Sequence, residues 1–268
     1  FMGTLIYIFA AWTIYGAIKH PYFANPLIYF PFILMGIDKI YKKEKPYIFI
    51  WSVAIAGLSN FYFFYMIGVL MVIYAIFRYF DQFADHSLKN IGKWIGIFAI
   101  YSVIAVLIAA TILLPVILPV LGTDRFNVEN YVPLFYDKIY YEKYLGCLIG
   151  EDMIQWGAAG FSAVSMAGVF VLFAKKKKYT VLKAGFILLN LFLLIPYAGH
   201  VLNGFSYVCN RWIWAYAMLI AYIFVKIYPE LFSLTQKEKQ KIFVMMLVYC
   251  GVAILPEAAR TQRNLTAV

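Results

Sequence analysis

From Ile95 to Leu121 the chain reads IGIFAIYSVIAVLIAATILLPVILPVL, 27 consecutive residues without a charge. A membrane-spanning helix needs about 20 predominantly apolar residues, whereas outer-membrane strands alternate apolar and polar over about ten. The stretch therefore reads as a transmembrane helix, and the rest of the chain resembles it. Of 268 residues, 64% are hydrophobic, 20% aromatic and 13% charged, against about 45–50% apolar and 25% charged in soluble domains. A soluble fold is excluded. At about 20 residues per span plus a turn, the chain holds roughly nine or ten spans and no separate soluble domain.

Nine apolar segments can be marked: Phe1–Ile18, Pro26–Ile40, Pro46–Leu58, Phe61–Phe77, Trp94–Leu114, Trp156–Ala174, Val181–Tyr197, Trp212–Tyr228 and Ile242–Leu255. They predict an all-α, polytopic transmembrane bundle of about nine spans, one membrane domain covering residues 1–268. The chain opens at Phe1 inside an apolar run, without an initiator Met or a basic leader, so it reads as a segment of a longer polytopic protein. Cys147, Cys209 and Cys250 are scattered, with no metal-like spacing.

Basic residues orient the spans. Cytoplasmic loops collect Lys and Arg. Lys42, Lys43 and Lys45 precede the Pro46–Phe77 region, while Arg78, Lys89 and Lys93 follow it. Both ends belong inside, which requires two spans broken at Ser59-Asn60. Inner loops then hold sixteen of the 23 Lys and Arg against six acids, Asp38 included, and the outer seven bases and seven acids cancel. The formal +10 is thus a topology signal, and nucleic acid is not the implied partner. The tract Lys175 to Lys178 reads as a stop signal, with contact to anionic lipid as the alternative. Pro46–Leu58, thirteen residues, extends only about 20 Å against a hydrocarbon core of about 30 Å. Such a helix thins the bilayer, sits within protein or is re-entrant.

Four polar segments fall outside: Lys19–Asn25, Ser59-Asn60 with the aromatics after it, Gly122–Gln155 and Gly199–Arg211. Each precedes a helix running inward. Asn25-Pro26 reads as an N-cap before a first-turn Pro; Asn60 and Asn210 precede apolar runs similarly, and Glu151-Asp152 precede a helix starting near Trp156. Capping accounts for each asparagine alone. Several helix starts converging on one outer cavity would also favour a phosphate-bearing headgroup. Arg211 offers a bidentate fork for phosphate, or anchors at the interface beside Trp212 and Trp214. His20 can hydrogen-bond a phosphate or sugar hydroxyl, shuttle a proton near neutral pH, or be structural. His200 defaults to core or interface. Asn190 lies mid-span and is expected to bond a neighbouring helix, and Asp38-Lys39 to form a local pair at the inner boundary.

Phe61, Tyr62, Phe63, Phe64 and Tyr65 form an aromatic block that covers most faces of a helix. It reads either as a surface for sugar rings and isoprenoid chains or as an outer aromatic belt. Gly122–Gln155 carries Asp124, Glu129, Asp137, Glu142, Glu151 and Asp152 without catalytic spacing. No Walker loop, zincin helix or nucleotide fingerprint occurs, so no cofactor or metal is assigned. Asn264-Leu265-Thr266 matches a glycosylation sequon.

Three outer stretches, His20-Pro21-Tyr22-Phe23-Ala24-Asn25-Pro26, Ser59-Asn60-Phe61-Tyr62-Phe63-Phe64-Tyr65 and Asn203-Gly204-Phe205-Ser206-Tyr207-Val208-Cys209-Asn210-Arg211-Trp212, resemble motifs of the bacterial YfhO family, in that family's order. The resemblance implies a multi-pass enzyme of the bacterial cell membrane, GT-C-like in fold, with its motif-bearing loops outside. It implies transfer of sugar from a polyprenyl-phosphate-linked donor to a surface glycopolymer such as lipoteichoic acid. In GT-C enzymes the catalytic acidic residue typically lies in the first outer loop, which would precede Phe1; the catalytic residue is therefore unassigned, and the expectation is a segment that holds part of the donor and acceptor cavity without the base. Arg211 and the helix starts near Asn25, Asn60 and Asn210 are expected at the phosphate, and His20 is a further substrate-binding candidate. Tyr62, Tyr65, Asn203 and Tyr207 are expected at sugar or lipid. Two other readings stand: a lipid-linked sugar flippase or other transporter, and a scaffold recruiting a partner sugar-lipid synthase.

Overall fold

The computed structural model describes residues 1–122, 131–150, 153–175 and 178–266, with 120, 121, 153 and 254–266 described by backbone alone. Asp124, Glu129, Glu151, Asp152, Lys176, Lys177 and the side chain of Asn264 lie outside the described residues.

Each of the nine apolar segments holds a helix. The first contains α1 (Met2–Ile8) and α2 (Ala11–Lys19); then follow α3 (Asn25–Tyr41), α4 (Tyr47–Ser59), α5 (Phe61–Gln82) and α6 (Leu88–Leu121). After α7 (Lys138–Cys147) a two-residue antiparallel ladder joins β1 (Met153–Ile154) to β2 (Gly157–Ala158). The remaining helices are α8 (Ala163–Ala174), α9 (Thr180–Leu194), α10 (Pro196–Leu202), α11 (Ile213–Ile227) and α12 (Gln236–Thr266). The described residues are thus helical apart from that ladder and the connections.

Among the described residues, four stretches are long and apolar enough to cross a membrane: Pro21–Tyr41, Phe61–Gln82, Leu88–Pro119 and Ile213–Ser233. The count becomes six if α1/α2, bent by 44°, and α9/α10, bent by 97°, each form one broken span. The other expected segments hold the short apolar helices α4 and α8, and α12. The helix expected to begin near Trp156 begins at Ala163, where the Ser162 hydroxyl accepts from Ser165 N–H at 3.3 Å; Trp156 lies in the loop between the strands instead.

The chain divides into two compact units. The inserted unit comprises His20–Tyr131 and Leu202–Ser206; the flanking unit comprises Phe1–Lys19, Val132–Val201 and Tyr207–Val268.

Contacts at both ends fix helix directions in the inserted unit. Asn25 at the start of α3 bonds Ser59 at the end of α4, while Gly36 late in α3 meets Phe49 early in α4, so these two helices are antiparallel. A Cβ on Gly36 would lie 2.6 Å from the Phe49 Cα; only glycine permits this approach. Helix α5 runs parallel to α3, with Phe23 against Phe63 at one end and Asp38 against Arg78 at the other. The chain therefore reverses between α4 and α5. Its pivot is Asn60, extended at φ −161°, ψ 111°, whose Oδ1 accepts from Tyr62 N–H and Phe63 N–H at 3.0 and 3.3 Å. The expected break is present, with Asn60 as an N-cap.

The charged end of this unit corrects the pairing expected there. Asp38 accepts from Arg78 Nε at 2.8 Å and from the Tyr74 hydroxyl at 3.1 Å, Arg78 also bridges to Asp81, and Lys39 pairs with Glu44 at 2.6 Å. Asp38 and Lys39 choose different partners because adjacent helical residues do not share a face.

In the flanking unit α11 is buried on nearly every side, including Trp214, Tyr216, Ile220, Phe224 and Ile227, which marks it as the unit's centre. Asn190 bonds neighbours as expected: its amide donates to the Tyr216 hydroxyl and the Phe186 carbonyl, both at 2.7 Å, and its oxygen accepts from Tyr144. The lysine tract is a structural clamp as well as a charge run. Lys175 lies 3.3 Å from Glu230 and 3.1 Å from Glu238, and Lys178 lies 2.8 Å from Glu230. Thr235 and Glu238 form a reciprocal capping box at the start of α12, with bonds of 2.9 and 3.3 Å.

Candidate functional site

The inserted unit gathers six of the nine candidate residues at the end remote from Asp38 and Arg78. His20, exposed and extended, begins a short 3-10 turn, Pro21–Ala24. Its ring lies 4.9 Å from Phe23, Phe23 packs edge-on to Phe63 at 5.1 Å, and Phe63 to Tyr62 at 5.1 Å. The Tyr62 hydroxyl then donates to Asn203 Oδ1 at 2.6 Å. Asn203 is buried at the head of a turn in which Gly204 (φ 66°) and Phe205 (φ 58°) are both left-handed. A Cβ on Gly204 would lie 4.0 Å from Tyr65 Cδ1. Asn25 closes the group through its 2.7 Å bond to Ser59, the neighbour of Asn60. Three distant stretches of sequence thus form one polar–aromatic cluster, with Tyr65 and Phe61 over a third exposed.

Asn25 is not the N-cap it was expected to be. Winding starts upstream at Pro21, so Asn25 already has helical angles, φ −55°, ψ −45°, and Ala24 holds the cap position. A capping side chain requires extended backbone. The Asn25 amide is used between helices instead.

Asn210, in the flanking unit, is also not a cap. Trp212 occupies that position on α11, and its side chain makes no capping bond. Asn210 is fully buried; its oxygen accepts from Trp212 Nε1 at 3.3 Å, and its amide donates to the Tyr140 and Tyr136 hydroxyls at 3.2 and 3.4 Å. Buried polar tips need partners, and this amide supplies them. The Tyr136 and Tyr140 rings stack at 3.8 Å. Burial pushes the Tyr136 hydroxyl up to about 12 and Tyr140 above its ordinary value, so both are neutral hydrogen-bonding groups at physiological pH. Of the three expected helix starts, only that of α5 carries an asparagine cap.

The Asn210 backbone holds the β1–β2 hairpin: its N–H donates to the Gln155 carbonyl at 2.8 Å, and a Cβ on Gly157 would lie 2.6 Å from its carbonyl oxygen. The two loop residues, Gln155 (φ 47°) and Trp156 (φ 66°), are both left-handed. The Arg211 guanidinium carbon lies 5.6 Å from the centre of the Trp156 ring, a cation–π contact. Tyr207 is exposed. Nearby, an open groove of about 590 Å³ is lined by Tyr136, Lys138, Tyr141, Glu142, Leu145 and Val252. Its one carboxylate, Glu142, lies 3.5 Å from Lys138, and Asp137 caps α7 by accepting from Tyr140 N–H at 2.7 Å.

The candidates therefore form two coherent groups: His20, Asn25, Asn60, Tyr62, Tyr65 and Asn203 in the inserted unit, and Tyr207, Asn210 and Arg211 in the flanking unit. Trp156, Tyr136 and Tyr140 were not singled out from sequence. Gly157 and Gly160 after Trp156 were the available sign, since paired glycines mark a turn more often than a helix. Among the described residues no three His, Cys, Asp or Glu are grouped to hold a metal ion.

A family described as bacterial membrane protein YfhO matches residues 1–267. The uncharacterised protein YfhO of Bacillus subtilis (strain 168) is 28% identical over 220 residues, covering 81% of this chain. The chain spans 24% of that relative's length. No solved structure matches. With apolar helices of membrane-crossing length and the family's match along nearly its whole extent, the chain belongs to the YfhO family of bacterial membrane proteins.

Proposed function

We propose that this chain is part of an integral-membrane glycosyltransferase with a GT-C-like bundle of about nine passes. It transfers a sugar from a polyprenyl-phosphate donor to a surface glycopolymer, such as lipoteichoic acid, on the outer face. The observation that carries the reading is the gathering of His20, Asn25, Asn60, Tyr62, Tyr65 and Asn203 at one end of the inserted unit. Aromatic faces with polar tips suit sugar rings and isoprenoid chains. The other end carries Lys39, Lys42, Lys43, Lys45, Arg78, Lys89 and Lys93 against Asp38, Glu44, Asp81 and Asp85, the excess of Lys and Arg that a cytoplasmic boundary has.

In the transfer an acceptor hydroxyl oxygen bonds to the anomeric carbon as the bond from that carbon to the phosphate oxygen breaks. The electron pair leaves on the polyprenyl phosphate, and the hydroxyl proton passes to a base elsewhere in the protein. Arg211 has the charge to stabilise the leaving phosphate; Tyr62, Asn203 and Tyr65 have the groups to position the sugar or its lipid.

The test reconstitutes the full-length protein with a radiolabelled polyprenyl-phosphate sugar and crude surface polymer. Label on the polymer, lost in Arg211→Ala, supports the reading; transfer unchanged in that variant removes the phosphate role. A flippase is the second reading, favoured by the 97° break between α9 and α10, since broken helices mark many transporter sites. Movement of labelled lipid across the bilayer without transfer would select it. Absence of both activities until a sugar-lipid synthase is added would select a scaffold.

A further inference from the structure

The hairpin tip in the flanking unit holds an aromatic ring on a backbone that disfavours it. Two-residue hairpin loops with positive φ at both positions ordinarily take Asn-Gly or Asp-Gly, because a Cβ is strained in left-handed backbone. Here the pair is Gln155-Trp156, at φ 47° and 66°. The conformation is imposed from outside the loop, by the Asn210 N–H on the Gln155 carbonyl and by the close seat of Gly157 against Asn210. The indole that results is 57% exposed and carries the Arg211 guanidinium 5.6 Å from its centre.

Membrane anchoring does not ask for this arrangement. Trp51 is equally open, at 56%, on the ordinary helical backbone of α4, which is all that a lipid-facing indole needs. An exposed indole beside a guanidinium instead matches a pyranose ring joined to an anion. The ring's face takes the C–H face of the sugar. Arg stacks through its plane and hydrogen-bonds through its edges, so contact with Trp156 and recognition of an oxyanion use different parts of the group.

We infer that Trp156 is the stacking platform for the sugar ring of a sugar phosphate, with Arg211 holding the phosphate beside it. The inference rests on the transferase reading and adds to it a sugar contact in the flanking unit.

The experiment measures binding of the 1-phosphates of glucose, galactose and N-acetylglucosamine, and of inorganic phosphate, to the full-length protein in detergent by phosphorus NMR titration. Trp156→Gly is the informative variant, since glycine accepts the left-handed backbone and removes the ring without straining the fold. It should weaken the best-bound sugar phosphate about tenfold and leave inorganic phosphate unchanged. Trp156→Phe should restore most of the loss, while Arg211→Ala should weaken both ligands. Sugar-phosphate binding that is intact in Trp156→Gly, or no tighter than phosphate in the wild type, overturns the inference. Transfer activity separates the two readings: wild-type transfer that survives Trp156→Gly removes this role alone. No transfer by the wild type removes the transferase, and this inference with it.

Discussion

Three asparagines, each placed before an apolar run, do three different things. Asn60 caps α5, Asn25 ties α3 to α4, and Asn210 serves the buried tips of Trp212, Tyr136 and Tyr140. The pattern Asn-before-apolar was legible, but their roles were not, because capping depends on the backbone of the preceding residues. The 3-10 turn at Pro21 had already wound Asn25 into a helix. The roles differ in cost. Asn60→Ala should lose about 1 kcal/mol, the usual value of a cap. Asn210→Ala strips the buried Trp212 N–H of its acceptor and should lose about 1–3 kcal/mol. Denaturant titration in detergent distinguishes them; equal losses would mean that Asn210 is not central to its network.

Among the elements, the apolar runs and the break at Asn60 were readable from periodicity and basic flanks. The ends of α6 and the bend after α9 were not. Helix α6 outruns its expected apolar segment at both ends because turns carrying Lys89 and Pro115 still wind. At the bend, Ile195 is extended at φ −118°, ψ 116°, as the residue before a proline tends to be, so Pro196 was the local cue. Glycine contacts give a paired test. Gly36→Ala drives a methyl into the Phe49 backbone and should destabilise by about 1–3 kcal/mol. Gly68, with nothing within 4 Å of its Cβ position, should gain up to about 1 kcal/mol on replacement by Ala. Thermal unfolding of the two variants should move in opposite directions. On the proposed orientation, Asn60→Cys should label with an impermeant thiol reagent from outside and Glu44→Cys only from inside; the same side for both would abolish the α4 crossing.

For the whole molecule, net charge by loop was legible because it is a sum over positions, whereas the partners are set by packing. Glu238 is such a partner. Bonds from the Thr235 backbone N–H and then from Lys175 hold its carboxyl below the ordinary 4.5, so the stability it adds is complete above that value and fades as pH falls below it. Lys178, held above 10.5 by its bond to Glu230, keeps its contribution below 10.5 and loses it as pH rises through the higher folded value. A Glu238→Gln variant should therefore unfold at a lower temperature than the wild type at neutral pH, and the gap should close in acid; a gap independent of pH would refute the linkage. One length has a consequence for chemistry. Helix α4, thirteen residues, rises about 20 Å, so on the proposed orientation Ser59 and Asn60 sit about 10 Å beneath the far edge of a 30 Å core. Helix α6 continues past them, since Gly57 lies level with Ala109 and Leu113 while α6 runs on to Leu121. On that orientation the cluster lies below the headgroup level with α6 rising beside it, so whatever binds there does so in a medium poorer in water than the surface, where each hydrogen bond counts for more.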